Sequence, residues 1–337
     1  MGHTPPQSQY IIPDLLSSWP WPRAKNPALD LNLEDEANAW VASLELFEPR
    51  QLDKFKACQF NYLRISCDLM NFYFAFDEYT DVVSGDEVMT IVADVIQAFR
   101  DREIPEGNSK IKEMARQFFQ RTVALVGEDT QGIDHFIADF EAYAKSVIQE
   151  ADDRVQGIVR NVEEYFILRR DTCGGKPSFS FFGLGLFIPK EVFDHPIMQS
   201  LTESATDLIA MTNDLHSYAL EHARGLDGHN VITAIMQEHS VDLQGAFYWL
   251  SGYGSKTVSK FLNDRKNLPS WGSDIDKAVN EYIDRMARCV RGYDAWSYET
   301  NRYYGKNGLE VQKSRRIVLQ HRELEMGYIT REQLQIG

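Results

Sequence analysis

The chain has 337 residues, of which 43% are hydrophobic and 25% charged, and that apolar content over that length excludes disordered and fibrous proteins. Its 50 acidic residues outnumber its 35 basic ones, which gives a net charge of −15. This balance argues against a nucleic-acid binder, which carries a basic surface, and at first sight it also argues against a polyanionic small ligand.

Prolines concentrate at the N-terminus. Six of the 12 lie within the first 27 residues, and proline breaks helices because it lacks a backbone donor. We therefore predict an extended N-terminal arm over residues 1–30, packed down by Tyr10, Trp19 and Trp21. Residues 31–337 are predicted to form a single domain.

That domain is predicted to be all-α. Leu208, Met211, Leu215 and Ala219 follow the spacing of an amphipathic helix, and Gly225 is placed to end it. Similar patterns predict helices over 36–48, 58–82, 85–101, 109–126, 131–150, 153–171, 197–223, 229–238, 241–251, 255–264, 273–299 and 309–322. No sustained alternation predicts a strand, and no repeat or linker divides the domain.

The cysteines and the apolar runs bear on the compartment. The four cysteines are widely spaced and form neither a zinc motif nor a disulfide framework, which favours a reducing compartment. The longest nearly uncharged apolar run, 179–189, is too short to span a bilayer, and the sequence begins with neither a secretory signal nor a myristoylation motif. We therefore expect a soluble, cytoplasmic protein.

An acidic pair ends a long apolar helix. Asp77 and Asp81 are four residues apart, so both carboxylates project from one helix face, and divalent cations such as Mg²⁺ prefer such oxygen ligands. A solvated helix end is the ordinary alternative. The apolar run over 69–76 argues against it, because a buried helix places its acidic end at the interior.

A second oxygen-rich pattern occurs further along the chain. Asn213, Ser217 and Glu221 follow one another at four-residue steps, which drift only about 40° each around a helix. An amide, a hydroxyl and a carboxylate therefore share one strip, which makes half of an all-oxygen cation site. Ordinary polar-face residues are the alternative, but the full pattern Asn/Asp-Asp-x-x-Ser/Thr-x-x-x-Glu, which includes Asp214, arises by chance in only about 1% of chains of this length.

Together the two motifs resemble those of class I terpene cyclases, above all the sesquiterpene synthases of mushroom-forming fungi, and the resemblance covers nearly the whole chain. It implies a single α-helical bundle whose active site lies in a central cavity. In this family a diphosphate-sensing arginine precedes the triad and lies at a helix break. Arg169 and Arg170, which are followed by a Gly-Gly pair, are the candidates for it here. The family's Arg-Tyr pair near the C-terminus corresponds to Arg302 and Tyr303.

The chain departs from the family pattern at two places. Leu220 stands where many relatives have a Lys or Arg that contacts diphosphate. Glu78 replaces the second aspartate of the acidic motif, which leaves open whether Glu78 or Asp81 contacts metal. Asp77 is the firmer ligand.

The resemblance implies an enzyme, a carbon–oxygen lyase, that binds a prenyl diphosphate through three Mg²⁺ ions, with Mn²⁺ as an alternative ion. Two ions would lie on the Asp77 side, and the triad would hold the third. The groups expected to bind diphosphate oxygens are Arg169 or Arg170, Arg302 and Tyr303. Such groups stabilise the leaving diphosphate. Because the metal ions and arginines would make the site locally positive, the net charge of the whole chain does not argue against a small anionic ligand.

Farnesyl diphosphate is the expected substrate, and a sesquiterpene hydrocarbon or alcohol the expected product. The alternatives are geranyl or geranylgeranyl diphosphate as substrate, or a catalytically inactive helical scaffold. A chain-elongating prenyltransferase is disfavoured, because it needs a second aspartate-rich motif where the triad stands. We expect no nucleic acid and no membrane span, and either a monomer or a homodimer.

Aromatic rings are expected to line the cavity, because a ring face stabilises a cation by roughly 0.5–2 kcal/mol. The candidates are Tyr73, Phe74, Phe179 and Trp296, with plain core packing as the alternative for each. Loops and the arm are expected to close over the cavity and exclude water. His216 points about 60° away from the metal strip and is expected to be structural, since released diphosphate can accept the last proton.

Overall fold

Helices form nearly all of the regular structure in this computed structural model, which describes residues 9–24, 39–44, 64–80, 85–101, 109–127 and 129–319. A short helical turn covers 39–43. The helices after it are α1 (Arg64–Thr80), α2 (Gly85–Arg100), α3 (Lys110–Val126), α4 (Thr130–Gln156), α5 (Val162–Thr172), α6 (Gly175–Gly183), α7 (Lys190–Phe193), α8 (Pro196–Arg224), α9 (Val231–His239), α10 (Leu243–Lys266), α11 (Ser273–Glu299), α12 (Asn301–Tyr304) and α13 (Gly308–Ser314). The all-α prediction is confirmed.

One small exception is an antiparallel ribbon near the two ends of the described chain. Strand β1 (Gln9–Ile11) pairs with β2 (Arg316–Val318). The sequence predicted a helix over 309–322, and over the ribbon residues that prediction is wrong. Helix α13 stops at Ser314 because Arg315 takes a left-handed conformation, with φ 55°, which ends a helix.

Other helix boundaries differ from the predicted ones, because a glycine does not always end a helix and a short apolar run does not by itself indicate one. The predicted break near residue 152 is wrong, because α4 continues to a left-handed Gly157. The predicted gap at 252–254 is also wrong, because α10 continues through both glycines of that gap. A Cβ at Gly254 would lie 3.2 Å from Leu15 of the arm, so this glycine provides a close approach rather than a turn. Helix α6 was not predicted.

Helix α8 carries the predicted metal triad on one unbroken length of 29 residues. Pro196 occupies its first position, where a missing N–H costs nothing, and the His195 side chain accepts a hydrogen bond from the Ile197 amide. Gly225 ends it in a left-handed conformation, with φ 71° and ψ 22°, as predicted. The triad therefore lies along one straight helix face.

The core consists of two clusters with α6 between them. One cluster is built mainly from α5 and α8–α11, and the other from α1–α4. Phe179 of α6 belongs to the first cluster and Phe181 to the second. The second is rich in stacked rings, and burying each such side chain contributes roughly 1.5–3 kcal/mol. Its fully buried phenylalanines are Phe72, Phe76, Phe99, Phe118, Phe136 and Phe140.

Residues 9–24 of the arm lie against α10 and α11. Trp19 and Trp21 are buried on Phe261 with ring centroids 4.7 and 5.8 Å away. The Trp19 indole donates to the Ala287 carbonyl at 3.0 Å. The Arg291 guanidinium donates to three arm carbonyls, those of residues 16, 19 and 21. This part of the arm is thus an integral layer of the fold, while residues 1–8 and 25–38 lie outside the described residues.

Candidate active site

A cavity of about 140 Å³ lies between the two core clusters, with walls from α1, α4, α5, α6, α8, α11 and α12. Its polar lining consists of Asp77, Tyr143, Arg169, Asn213, Tyr293, Arg302 and Tyr303. Its larger apolar side chains are Met70, Tyr73, Phe74, Phe179, Phe182, Ile209 and Trp296. A larger surface cleft of about 730 Å³ beside α7 contains none of the predicted site residues. Most of the predicted residues therefore meet at the smaller cavity, whereas Ser217, Glu221 and Arg170 do not line it.

Asp77 lies near the end of α1, with its side chain in the cavity wall. The Tyr143 hydroxyl of α4 donates to its Oδ1 at 2.9 Å. Burial raises the pKa of Asp77 to about 6, although the Tyr143 hydrogen bond and the Arg302 charge lower it. Glu78 is exposed, and Asp81 lies outside the described residues. Asp77 is thus a carboxylate whose charge is poorly compensated, as expected of a group that awaits a cation.

The triad strip on α8 runs from the cavity into the protein. The Asn213 amide donates to the Tyr293 hydroxyl at 2.6 Å and to the Tyr303 hydroxyl at 3.2 Å. The Glu221 carboxylate accepts from the Asn230 amide at 2.9 Å. Burial, reinforced by the nearby Asp214 charge, raises the pKa of Glu221 to about 7. Both polar ends of the strip are therefore oriented before any ligand binds.

Ser217, between them, gives the test of whether the strip fits a cation. Its hydroxyl is buried and has no well-formed hydrogen bond within the described residues, although it lies close enough to the Glu221 carboxylate, one turn further on, to lower the pKa of that group. A buried hydroxyl that is incompletely bonded is costly unless a ligand completes it. The Asn213 oxygen, which accepts from Arg169, retains a second lone pair. An amide, a hydroxyl and a carboxylate suit a hard divalent cation. Among the described residues no three His, Cys, Asp or Glu side chains cluster as a metal site, since only one triad donor is of that type.

Arg169 faces the cavity at the break between α5 and α6. Gly174 produces that break with a left-handed φ of 66°, in agreement with the sequence prediction. The Arg169 guanidinium donates to the Asn213 oxygen at 2.6 Å and to the Asp214 carboxylate at 3.0 Å. It is therefore fixed beside the triad, with the cavity in front of it.

Arg170 points elsewhere. Its guanidinium forms two hydrogen bonds with the Asp207 carboxylate of α8, at 2.7 and 2.9 Å, and it does not line the cavity. Such a bidentate pair fixes both side chains. Of the two predicted arginines, only Arg169 is thus in reach of a ligand in the cavity.

Asp214 is a site residue that the sequence reasoning missed. Besides Arg169, its carboxylate accepts from the Tyr165 hydroxyl and from the Val231 amide at 3.0 Å. It is 1% exposed. The available signal was its place inside the triad motif next to Asn213, on the inward side of the helix. Tyr143, Tyr165 and Asn230 gave no such signal, because tertiary packing alone selects their partners.

The Arg-Tyr pair lies on α12, at the edge of the cavity. The Arg302 guanidinium lies 4.9 Å from the centre of the Phe74 ring. The Tyr303 hydroxyl is 3.1 Å from that of Tyr293. The pair therefore reaches both α1 and the triad, so the structure brings both ends of the predicted site together.

Below these polar groups the wall is aromatic. Phe74 stacks on Trp296 at 6.4 Å, and Trp296 packs against Tyr293 at 5.7 Å. Tyr73 and Phe179, both buried, complete that side of the cavity. The arm residues 9–24 do not line it, so closure of the arm over the cavity stays a prediction.

His216 is buried behind the triad and does not line the cavity. Its Nδ1 lies 2.8 Å from the Tyr304 hydroxyl, and its Nε2 lies 3.6 Å from the Asp294 carboxylate. Burial lowers its pKa. This placement agrees with a structural role rather than a base facing the substrate.

Comparison with known proteins identifies the family. The profile of terpene synthase family 2, C-terminal metal binding, matches residues 68–260. A sesquiterpene synthase of Cyclocybe aegerita is 42% identical over 321 residues, which are 91% of this chain and 86% of that protein. The chain belongs to the terpene synthase family. A Delta(6)-protoilludene synthase of Armillaria gallica is also similar, 38% identical over 92% of this chain and 93% of its own.

Solved structures of terpene synthases share the fold of this terpene synthase. A linalool/nerolidol synthase from Streptomyces clavuligerus matches with a TM-score of 0.72 at 17% identity, over 83% of this chain and 98% of that one. Germacradien-4-ol synthase from Streptomyces citricolor matches with a TM-score of 0.70 at 22% identity, over 82% and 96%. The family's metal-binding region implies dependence on a divalent metal. No helix in the described ranges is long and apolar enough to cross a membrane.

Proposed function

We propose that this chain is a magnesium-dependent sesquiterpene synthase, which ionises farnesyl diphosphate, cyclises the resulting cation and releases diphosphate. The main support is the convergence of Asp77, Asn213 and Arg169 on the polar end of one aromatic-lined cavity. The relative from Cyclocybe aegerita, which is named a sesquiterpene synthase, supports the substrate class.

The acidic residues have the role of holding the cations. Asp77, together with Asp81 beyond the described residues, would bind two Mg²⁺ ions, and Asn213, Ser217 and Glu221 a third. Bound Mg²⁺, or Mn²⁺ in its place, supplies positive charge that neutralises the leaving diphosphate. The chain supplies the oxygen donors, and the buried Ser217 hydroxyl, which has no well-formed hydrogen bond of its own, lies beside the Glu221 carboxylate, where one cation can contact both.

The cationic groups orient the diphosphate. Arg169 presents a planar fork held from behind by Asp214, so we assign it as the diphosphate sensor and give Arg170 a structural role. Arg302 and Tyr303 bind from the opposite edge. Because these donors are fixed before ionisation, they stabilise the developing charge without a reorganisation cost.

The aromatic wall encloses the hydrocarbon part of the substrate. Phe74, Trp296 and Tyr73 offer ring faces to a passing cation, and their burial excludes water from it. The cavity of about 140 Å³ is smaller than the roughly 300–1,000 Å³ of typical ligand sites. A substrate must therefore displace side chains when it binds.

The deciding experiment is incubation of the purified full chain with geranyl, farnesyl and geranylgeranyl diphosphate. Each substrate is offered with Mg²⁺, with Mn²⁺ and with a chelator, and volatile products are identified by mass spectrometry. We expect a cyclic fifteen-carbon product from farnesyl diphosphate only when metal is present. A folded protein that yields no hydrocarbon or alcohol from any substrate would support an inactive scaffold instead. Fractionation and light scattering test the predicted cytoplasmic location and the monomeric or homodimeric state.

A further inference from the structure

His216 joins the triad helix to the helix that carries Arg302 and Tyr303. It immediately precedes Ser217 on α8, and its Nδ1 lies 2.8 Å from the hydroxyl of Tyr304 on α12. One turn earlier on α8, Asn213 donates to the Tyr303 hydroxyl at 3.2 Å. Two successive tyrosines of α12 thus contact two residues one turn apart on α8.

Helix α12 depends on such contacts because it is too short to be stable alone. It is a single turn of four residues, none of them buried, and a turn of that length is not stable by itself. At its start the Thr300 side chain accepts from the Arg302 amide at 3.2 Å. The position of Arg302 relative to the triad is therefore set largely by tyrosine side chains.

The two links respond differently to a ligand. Asn213 and Tyr303 both line the cavity, so a bound ligand can contact both partners of that bond. His216 does not line the cavity, and its bond to Tyr304 can persist throughout. Within the described residues, the link through His216 is thus the one that a bound ligand does not touch.

The His216–Tyr304 link is itself supported from behind. The His216 ring packs edge-on against Tyr298 at 4.6 Å, and Tyr298 stacks on Tyr304 at 5.8 Å. The Asp294 carboxylate lies 3.6 Å from the His216 Nε2, which favours the tautomer in which Nε2 carries the proton and Tyr304 donates to Nδ1. Arg291, which donates to the three arm carbonyls, lies 3.7 Å from Asp294.

We propose that His216 and Tyr304 are positioning residues that hold Arg302 and Tyr303 at a fixed distance from the Asn213–Ser217–Glu221 strip, with the N-terminal arm bracing them through Arg291 and Asp294. The inference rests on the proposed function, because the link matters only if diphosphate binds between α12 and the strip on α8. Without the link, α12 is no longer held at that distance from the strip, and the diphosphate is bound from one side only.

The test uses His216→Phe, Tyr304→Phe and the double variant in the full chain. Each single change should lower kcat for farnesyl diphosphate about tenfold and raise KM about two- to fivefold, because α12 contributes to binding the diphosphate and contributes more as charge develops on it. It should also raise the share of acyclic alcohols. The double variant should be no worse than the worse single one, since both remove one interaction. His216→Gln, which restores a hydrogen-bonding group, should recover part of the loss.

Two further measurements make the result decisive. Tyr282→Phe is the matched control, because it removes a buried α11 hydroxyl that bonds Thr202 of α8 away from the cavity, and its kcat and products should be those of wild type. Calorimetric binding of inorganic diphosphate with Mg²⁺ needs no turnover, and we expect Tyr304→Phe to weaken it about fivefold or more. Wild-type diphosphate affinity, kcat and products in Tyr304→Phe would overturn the inference. A wild-type protein that binds diphosphate but turns over no substrate would overturn the proposed function, while the affinities of the variants still decide the link.

Discussion

The two walls of the cavity hold their acidic groups in opposite ways. On the α1 wall, Asp77 is set among stacked aromatic rings, and Tyr143 donates to its carboxylate. On the α8 wall, Asp214 and Asn213 are enclosed by hydrogen bonds from Arg169, Tyr165 and other partners. Around Asn213 and Asp214 the α8 wall is thus preorganised by the protein, whereas Asp77 on the α1 wall, like Glu221 at the far end of the α8 strip, depends on a cation to compensate its charge.

This contrast implies that similar losses of activity have different structural origins. A change on the α1 wall removes a metal ligand and relieves an electrostatic cost, because a buried carboxylate with a raised pKa destabilises the fold once ionised. A change at Asn213 on the α8 wall removes a ligand and also leaves other buried polar groups without partners. Activity alone does not separate the two cases, but activity combined with stability does.

The largest expected effect comes from Asp77→Asn and Asn213→Ala. Each should lower turnover of farnesyl diphosphate by at least about 100- to 1,000-fold, since each removes a group that acts on the leaving diphosphate. Without metal, Asp77→Asn should be as stable as wild type or more so. Asn213→Ala should lose about 1–3 kcal/mol of unfolding free energy, because three partners lose their hydrogen bonds. Product analysis and urea unfolding measure both quantities, and equal stabilities for the two variants would contradict the contrast.

The next effect separates the adjacent arginines. Arg169→Gln should lower kcat about 100-fold, because it removes a donor fixed toward the diphosphate. Arg170→Gln should keep kcat within about fivefold and instead lower stability by about 3–5 kcal/mol, because it strands the Asp207 carboxylate. Steady-state kinetics and thermal unfolding on the same samples check this. A larger kcat loss in Arg170→Gln than in Arg169→Gln would reverse our assignment.

The sequence predicted the ends of this network but not its interior. Asp77 and the triad could be proposed from the sequence because metal ligation would impose such spacing on a helix, and Arg169 and Arg170 because the family pattern places an arginine before a break. Choosing between the two arginines needed the fold, since adjacent helical residues point about 100° apart and only packing decides which direction is inward. Tyr143 and Tyr165 could not be found, because a buried tyrosine has no local signature of its partner.

The two walls should also differ in the pH range over which they affect stability. Burial raises the pKa of Glu221 from 4.5 to about 7 and that of Asp77 from 3.8 to about 6. The unfolded chain therefore loses these protons first, so the metal-free protein should lose stability as pH rises, up to about 6 for Asp77 and about 7 for Glu221. Glu221→Gln should remove the decline between pH 6 and 7 and be more stable than wild type above pH 7, by on the order of 1–3 kcal/mol. Thermal unfolding with a chelator from pH 5 to 8 tests this, and a parallel decline in the variant would exclude Glu221 as its source.

The smallest expected effect concerns the tyrosine behind each wall. Tyr143→Phe keeps the ring contacts with Tyr73 and Phe140 but removes the hydrogen bond that orients Asp77. The Mg²⁺ concentration for half-maximal activity should rise about three- to tenfold, because groups that orient a metal ligand tune its affinity.

Tyr165→Phe is the matched change on the other wall, where Asp214 still accepts from Arg169 and from the Val231 amide. It should leave the Mg²⁺ requirement within about twofold, since Asp214 is not a proposed ligand and keeps its remaining partners. Titrations of activity against Mg²⁺ for both variants compare the walls directly. An equal shift in the two variants would mean that the α8 wall is no better organised than the α1 wall, and that its hydrogen bonds serve stability alone.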